Sequence, residues 1–284
     1  MPHRRHSRGV YAGRRPLSVS LFFLHTARPP YQRRSLIPIS SLASKYGLAA
    51  DQTLEFEVIT ATPGSAGARL LKASPTENRD LYWALSGGGG GTYAVVYSLT
   101  AKAHPDLPIA AANFSFTPGT SQAALLAGIA AYHAWAPSLI DQGAIILAFG
   151  SAASFSIGPI IAPGLPLATL TEEITALTDK LNALGVGYAL PNVQLFPGYW
   201  PAAQALMPPV PVGTSLYGGR LIPRSVVLEN GQGLVDVLGD ITGGGEGVSY
   251  ATLGVNVNRS VAGEVDNAVL PAWREALLDV VLVV

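Results

Sequence analysis

Apolar and polar positions alternate from Leu54 to Ala61: Leu54, Phe56 and Val58 fall on one side, Glu55, Glu57 and Ile59 on the other. That period of two predicts a strand with one buried face. Residues 62–67 read as a turn and Arg69 to Ala73 as the returning strand. The spacing then becomes helical. Asn78 offers a cap, Asp80 sits in the first turn, and Leu81, Tyr82, Ala84 and Leu85 form an apolar side. Five glycines, Gly87 to Gly91, stop that helix, and Tyr93 to Thr100, rich in valine and tyrosine, predicts a largely buried strand. Upstream, Leu42 to Asp51 reads as a loop turning at Gly47.

Beyond Pro105 the alternation of elements slows. Ala110–Thr117 predicts a strand, and Ser121–Trp135 a helix with Leu125, Ile129, Tyr132 and His133 at helical spacing. Ala144–Phe149 and Phe155–Ile161 predict two paired strands. Leu170–Leu184 predicts an amphipathic helix that begins around Thr171, Glu172 and Glu173 and stops at Gly185. Tyr188–Phe196 reads as a strand and Pro197–Pro211 as a proline-rich aromatic loop. Strand, helix and strand follow over Leu216–Pro223, Val226–Ile241 and Val248–Val257, with an apolar run from Trp273 to Val284. This order suggests an α+β architecture, helices covering a mostly antiparallel sheet, with a natural cut between Pro105 and Ile109. Residues 1–39 share none of this texture and read as a leader without a role in the fold.

Composition narrows the picture. The chain has 284 residues, 49% of them hydrophobic and 13% charged, which suits a packed protein with a substantial core. No run approaches about 18 uninterrupted apolar residues, so no membrane span is expected. The net charge of zero hides an asymmetry: residues 1–50 hold nine Lys and Arg and no acid. The remainder is acidic without a basic stripe, which argues against a nucleic-acid partner. The absence of cysteine excludes disulfides, thiolate metal sites and cysteine nucleophiles, and assigns no compartment.

Several chemistries fail on spacing. The histidines at 3, 6, 25, 104 and 133 form no HxxxH pair, so no metal site is expected, and His133 beside Trp135 reads as a core residue. Gly64-Ser65-Ala66-Gly67 has the wrong spacing for a nucleophile elbow. Glu55 and Glu57 could be imagined as a glycosidase pair, but their period-two spacing marks a solvated face. Tyr199, Trp200 and Trp135 leave open a carbohydrate-binding surface. The glycine run follows a helix, whereas phosphate loops run strand, glycines, helix so that amides face the anion; no Gly-Lys-Ser/Thr closes it either. Its apolar flanks argue against a flexible tether and leave tight packing and ligand contact as equal alternatives.

Two segments taken together carry a resemblance. SKYGLAADQTLEFEVITA (Ser44–Ala61) and ASPTENRDLYWALSGGGGGTYAVVYSLTAKAHP (Ala73–Pro105) resemble the second half of the flavin domain in berberine-bridge-enzyme-like FAD-linked oxidases of the vanillyl-alcohol-oxidase superfamily. Tyr217–Arg224 and Asn267–Arg274 resemble the same family's substrate domain, so the likeness runs from about Leu42 to Leu282. It implies the C-terminal part of a PCMH-type FAD-binding domain over residues 40–107, followed by an α+β substrate domain over 108–284. It further implies FAD as cofactor and a two-electron oxidation of a small organic substrate (a sugar, an alcohol or a secondary metabolite) with oxygen as acceptor. The cofactor-binding candidates it implies are Lys45, Tyr46, Gly47, Leu48, Asp51, Gly87, Gly88, Gly89, Gly90, Gly91, Thr92, Tyr93, Val95 and Val96.

The chain departs from the family in several places. Ala94 stands where a glycine is usual. The family's phosphate loop, flavin-linking histidine and cysteine, and terminal tyrosine–asparagine segment have no counterpart here. A chain shortened at both ends is therefore expected, and no catalytic residue is assigned. The competing expectation is a remnant that holds no flavin.

Overall fold

The computed structural model describes residues 41–61, 67–89, 92–207, 217–243 and 247–283. The leader, the expected turn over 62–66, Gly90, Gly91, the end of the proline-rich loop and Leu216 lie outside the described residues.

A three-stranded antiparallel sheet comes first, in the order β2-β1-β3. Its strands are β1 (Thr53–Ala61), β2 (Ala68–Ala73) and β3 (Val95–Ala101), and α3 (Arg79–Leu85) lies between the second and third. Phe56, Val58 and Ala73 bury one face against Tyr82 and Leu85 of α3, as the alternation predicts. Leu54 breaks the pattern at 42% exposure, because pairing with β3 slips between Thr53 and Glu55 and turns this side chain outward. Two further expectations are corrected. Asn78 does not cap α3 with its side chain: at φ 47° its amide donates instead to the Lys72 carbonyl, at 2.6 Å. Nor is β3 largely buried, since it is an edge of this sheet with a single layer behind it, which leaves Val95 and Tyr97 exposed.

The second sheet has eight antiparallel strands, with β7-β4-β6-β5-β10-β11-β9 in order and β8 also pairing β4. These are β4 (Ile109–Thr117), β5 (Ile145–Gly150), β6 (Phe155–Pro163), β7 (Gly187–Tyr188), β8 (Asn192–Phe196), β9 (Tyr217–Pro223), β10 (Ser249–Gly254) and β11 (Ala276–Val283). One face is covered by α4 (Gln122–Asp141), α5 (Leu167–Ala183), α7 (Arg224–Glu229) and α8 (Gly231–Gly243), which enclose Phe114, Phe116, Tyr132, Phe155 and Ile160. Each such side chain contributes about 1.5–3 kcal/mol by leaving water. Helix α4 is capped by Ser121, whose hydroxyl accepts from the Ala124 amide at 3.1 Å. It is long and apolar enough to cross a membrane by length and composition, yet most of it is buried as the core helix of this layer. The expected single helix over 226–241 is two, broken at Asn230, and α5 starts at Leu167, a turn earlier than its acidic residues suggest.

The opposite face carries smaller elements. The segment expected to be a loop over 42–51 forms two single-turn helices, α1 (Ala43–Tyr46) and α2 (Ala49–Gln52). Leu42, Ala43 and Leu48 pack here on Ile109, Ile145 and Leu253 of the large sheet, so packing crosses the cut drawn near residue 107. The proline-rich loop likewise contains a helix, α6 (Tyr199–Leu206), anchored by Ala202. The short α9 (Arg259–Ala262) and a 3-10 turn over Pro271–Arg274 complete this side.

Candidate functional site

The residues carrying the family likeness lie far apart in sequence and meet at one place. Asp51 occupies the first turn of α2, where its carboxylate accepts from the Leu48 amide at 2.8 Å and so closes the helix start. Both of its oxygens also receive the Arg274 guanidinium, at 2.9 and 2.6 Å, and Asn267 donates to it at 2.8 Å. The Asp51 side chain is fully buried and that of Arg274 is 12% exposed. Arg274 spends a further N–H on the Val257 carbonyl, at 3.0 Å. A forked guanidinium suits this pairing because it satisfies two carboxylate oxygens at once.

Gly47 explains why this corner needs glycine. Its φ is +89°, and a Cβ there would stand 2.9 Å from an Asp51 oxygen and 3.1 Å from the Ala262 backbone. Gly87, the first of the glycine run, is the second such position. Its φ is +113°, and a Cβ would fall 2.6 Å from the Val269 amide nitrogen. Ala268 donates its amide to the Ser86 carbonyl at 3.0 Å, and the Trp83 indole donates to Asp266 at 3.1 Å. The segment from Asp266 to Arg274 thus docks α3 and its glycine turn at one end and the α1–α2 corner at the other.

The remaining candidates divide. Lys45 is exposed, while Tyr46 stacks on His104 with ring centroids 3.8 Å apart and Leu48 is buried among Ile145, Leu253 and Val255. Burial lowers the His104 pKa, and its Nε2 hydrogen-bonds Gln52 at 2.8 Å. Gly89 has open space where a Cβ would stand. Thr92, Tyr93 and Val95 line an open groove with Ile59 and Ala61, and Val96 packs into the small core. Gly90 and Gly91 are outside the described residues. The Asp51 carboxylate is engaged within the protein by the Leu48 amide, Asn267 and Arg274. Asn267, Arg274 and His104 carried no assigned role in the sequence. Arg274 had a signal, as a lone cation within the apolar Asn267–Arg274 motif. Of the rejected chemistries, Glu55 pairs with Lys72 at 3.1 Å, and no cluster able to hold a metal occurs among the described residues.

No family model matches the chain. It is 40% identical over 247 residues to the FAD-linked oxidoreductase patO of Aspergillus clavatus, covering 86% of this chain and 42% of that protein. It is 34% identical to the FAD-linked oxidoreductase sor8 of Hypocrea jecorina, covering 84% and 40%. Among solved structures, the VAO-type flavoprotein MtVAO615 of Myceliophthora thermophila C1 superposes with a TM-score of 0.74 at 29% identity, covering 86% of this chain and 44% of the other.

The chain belongs to the VAO-type FAD-linked oxidoreductases. It spans about two fifths of the length of the curated relatives it matches. FAD is the cofactor that this family's names record, and the mixed helix and antiparallel-sheet fold agrees with its solved members. In this FAD-linked oxidoreductase chain, Tyr93 and Val95 present apolar area in the open groove that they line with Thr92, Ile59 and Ala61.

Proposed function

We propose that this chain is the part of an FAD-dependent oxidoreductase that joins one wall of the flavin site to the substrate sheet. Residues 40–107 form the partial flavin-binding domain and 108–284 the substrate domain. The observation that carries the reading is the convergence of Asp51, Gly87, Asn267 and Arg274 on one interdomain seam. Gly88, Gly89, Thr92, Tyr93 and Val95 face the flavin. Tyr46 and Gly47 shape the corner behind it, and Asp51 holds that corner in place through Arg274. Bound FAD supplies the two-electron acceptor, with oxygen as the final oxidant. The protein's own part is to position a small organic substrate (an alcohol, a sugar or a secondary metabolite) and keep water away from it.

The exposed β3 edge favours a second reading, a remnant that holds no flavin, because Val95 and Tyr97 are exposed and, among the described residues, no strand pairs with the outer side of β3. One experiment separates the two. The purified chain is mixed with FAD, passed through gel filtration and examined for visible flavin absorbance. Co-eluting flavin absorbance, lost in Gly89→Val, supports the oxidoreductase reading; a colourless protein peak overturns it.

A further inference from the structure

Two asparagines open the tripeptide Asn-x-Ser that marks acceptors of N-linked sugar: Asn113-Phe114-Ser115 and Asn258-Arg259-Ser260. So short a motif arises easily by chance, and the folded surroundings separate the two. Asn258 is committed to the structure. Its side-chain oxygen accepts from the Ser260 amide at 3.0 Å, the Ser260 hydroxyl at 2.7 Å and the Val261 amide at 3.2 Å, and so caps α9. The residue is partly buried beside the point where Ala262 closes on Gly47.

Asn113 is placed differently. It belongs to β4, whose residues alternate between the two faces of the large sheet. Ala112 and Phe114 enter the core beneath the helices, while Ile109 and Ala111 pack with Ala202 of α6 on the opposite face. Asn113 continues this second row and is exposed. Across β8 its partner is Asn192, and the neighbouring pair sets Gln194 against Ala111; both β8 side chains are exposed. On β6, a Cβ at Gly158 would fall 2.5 Å from the Asn113 Cβ, so the glycine leaves the asparagine room. Asn113 makes no side-chain hydrogen bond among the described residues. Along β4 the face thus changes from apolar and covered to amide-lined and open.

We propose that Asn113 is a site of N-linked glycosylation. Its side-chain nitrogen forms a bond to the anomeric carbon of an oligosaccharide carried on a polyprenyl diphosphate. The bond from that carbon to the diphosphate oxygen breaks, the polyprenyl diphosphate leaves, and one amide proton passes to a base of the transferase. Ser115, two residues on and on the same face, supplies the hydroxyl by which the acceptor is recognised. The sugar stands on the open end of the sheet face beside β8 and adds solvated bulk there without touching the core. None of this depends on the flavin reading.

The test is made on the full chain produced in a fungal host. Peptide N-glycosidase in heavy-oxygen water releases N-linked sugar and converts each asparagine that carried it into a heavy-labelled aspartate. Mass spectrometry should find the label at position 113, and the intact protein should be heavier by one oligosaccharide before treatment. Ser115→Ala should abolish the label, Ser115→Thr should retain it, and Ser260→Ala should leave it unchanged. The readout is on peptides, so a Ser115 variant that fails to fold still reports. An unmodified Asn113 in the unaltered chain, a label confined to Asn258, or a label at position 113 that survives Ser115→Ala would overturn the inference.

Discussion

The two sheets of this protein are built from similar strand material and end in different states. The large sheet is sandwiched: helices α4, α5, α7 and α8 cover one face, and α1, α2, α6 and the 267–274 segment cover much of the other. The small sheet has only α3 behind it, with a core of Phe56, Val58, Ala73, Tyr82 and Leu85 and with Leu70, Val95 and Tyr97 exposed. Strand sequence alone therefore does not set burial; the number of layers does. The small sheet is tied internally by the Tyr82 hydroxyl, which donates to the Thr53 carbonyl at 2.8 Å, and to the seam where Gly87 rests on Val269.

If the seam holds the two regions together, breaking its ion pair should have the largest effect. Asp51→Ala leaves the buried Arg274 guanidinium without its carboxylate and should cost about 3–5 kcal/mol, read as a lowered denaturation midpoint. Hydrogen exchange should quicken in the small sheet first, and equal loss in both sheets would contradict the seam.

Acid tests the large core by itself. Both ring nitrogens of His133 are buried without a hydrogen-bond partner among the described residues, and burial lowers its pKa to about 4. The unfolded chain, with an ordinary histidine near 6.5, then binds the extra proton first. This contribution is present above pH 6.5 and is lost as pH falls toward 4, a change of about 3 kcal/mol. His133→Leu should flatten that part of the stability profile, and an unchanged slope would count against it.

Smaller effects belong to the joint and the free edge. Gly87→Ala must place a Cβ against the Val269 backbone at a left-handed φ, and should cost about 1–3 kcal/mol by thermal melting. Tyr97→Lys on the exposed edge should change stability by less than about 0.5 kcal/mol while slowing aggregation, read by light scattering. A large loss of stability there would mean that the side chain has a partner after all.

Much of the large sheet was legible because its signals are local. Strand-like runs at 110–117 and 155–161 and helical spacing at 121–135 each identify an element within one stretch of chain. The misreadings share a cause as well. Residues 43–52 and 199–206 are too short and irregular to announce a helix, and they adopt one by packing on a sheet face formed by distant strands. Leu54 alternates correctly in sequence, but a register slip that depends on β3 turns it outward.

The site divides along the same line. The motif KYGLAAD, the glycine run and NAVLPAWR are readable as text, and together they led to the family, because backbone demands at Gly47 and Gly87 restrict which residues can stand there. That Asp51 meets Arg274, 223 positions away, was decided only when the chain closed on itself. Ion pairing and burial depend on distance in space, and no local pattern encodes which remote side chain will complete a buried charge.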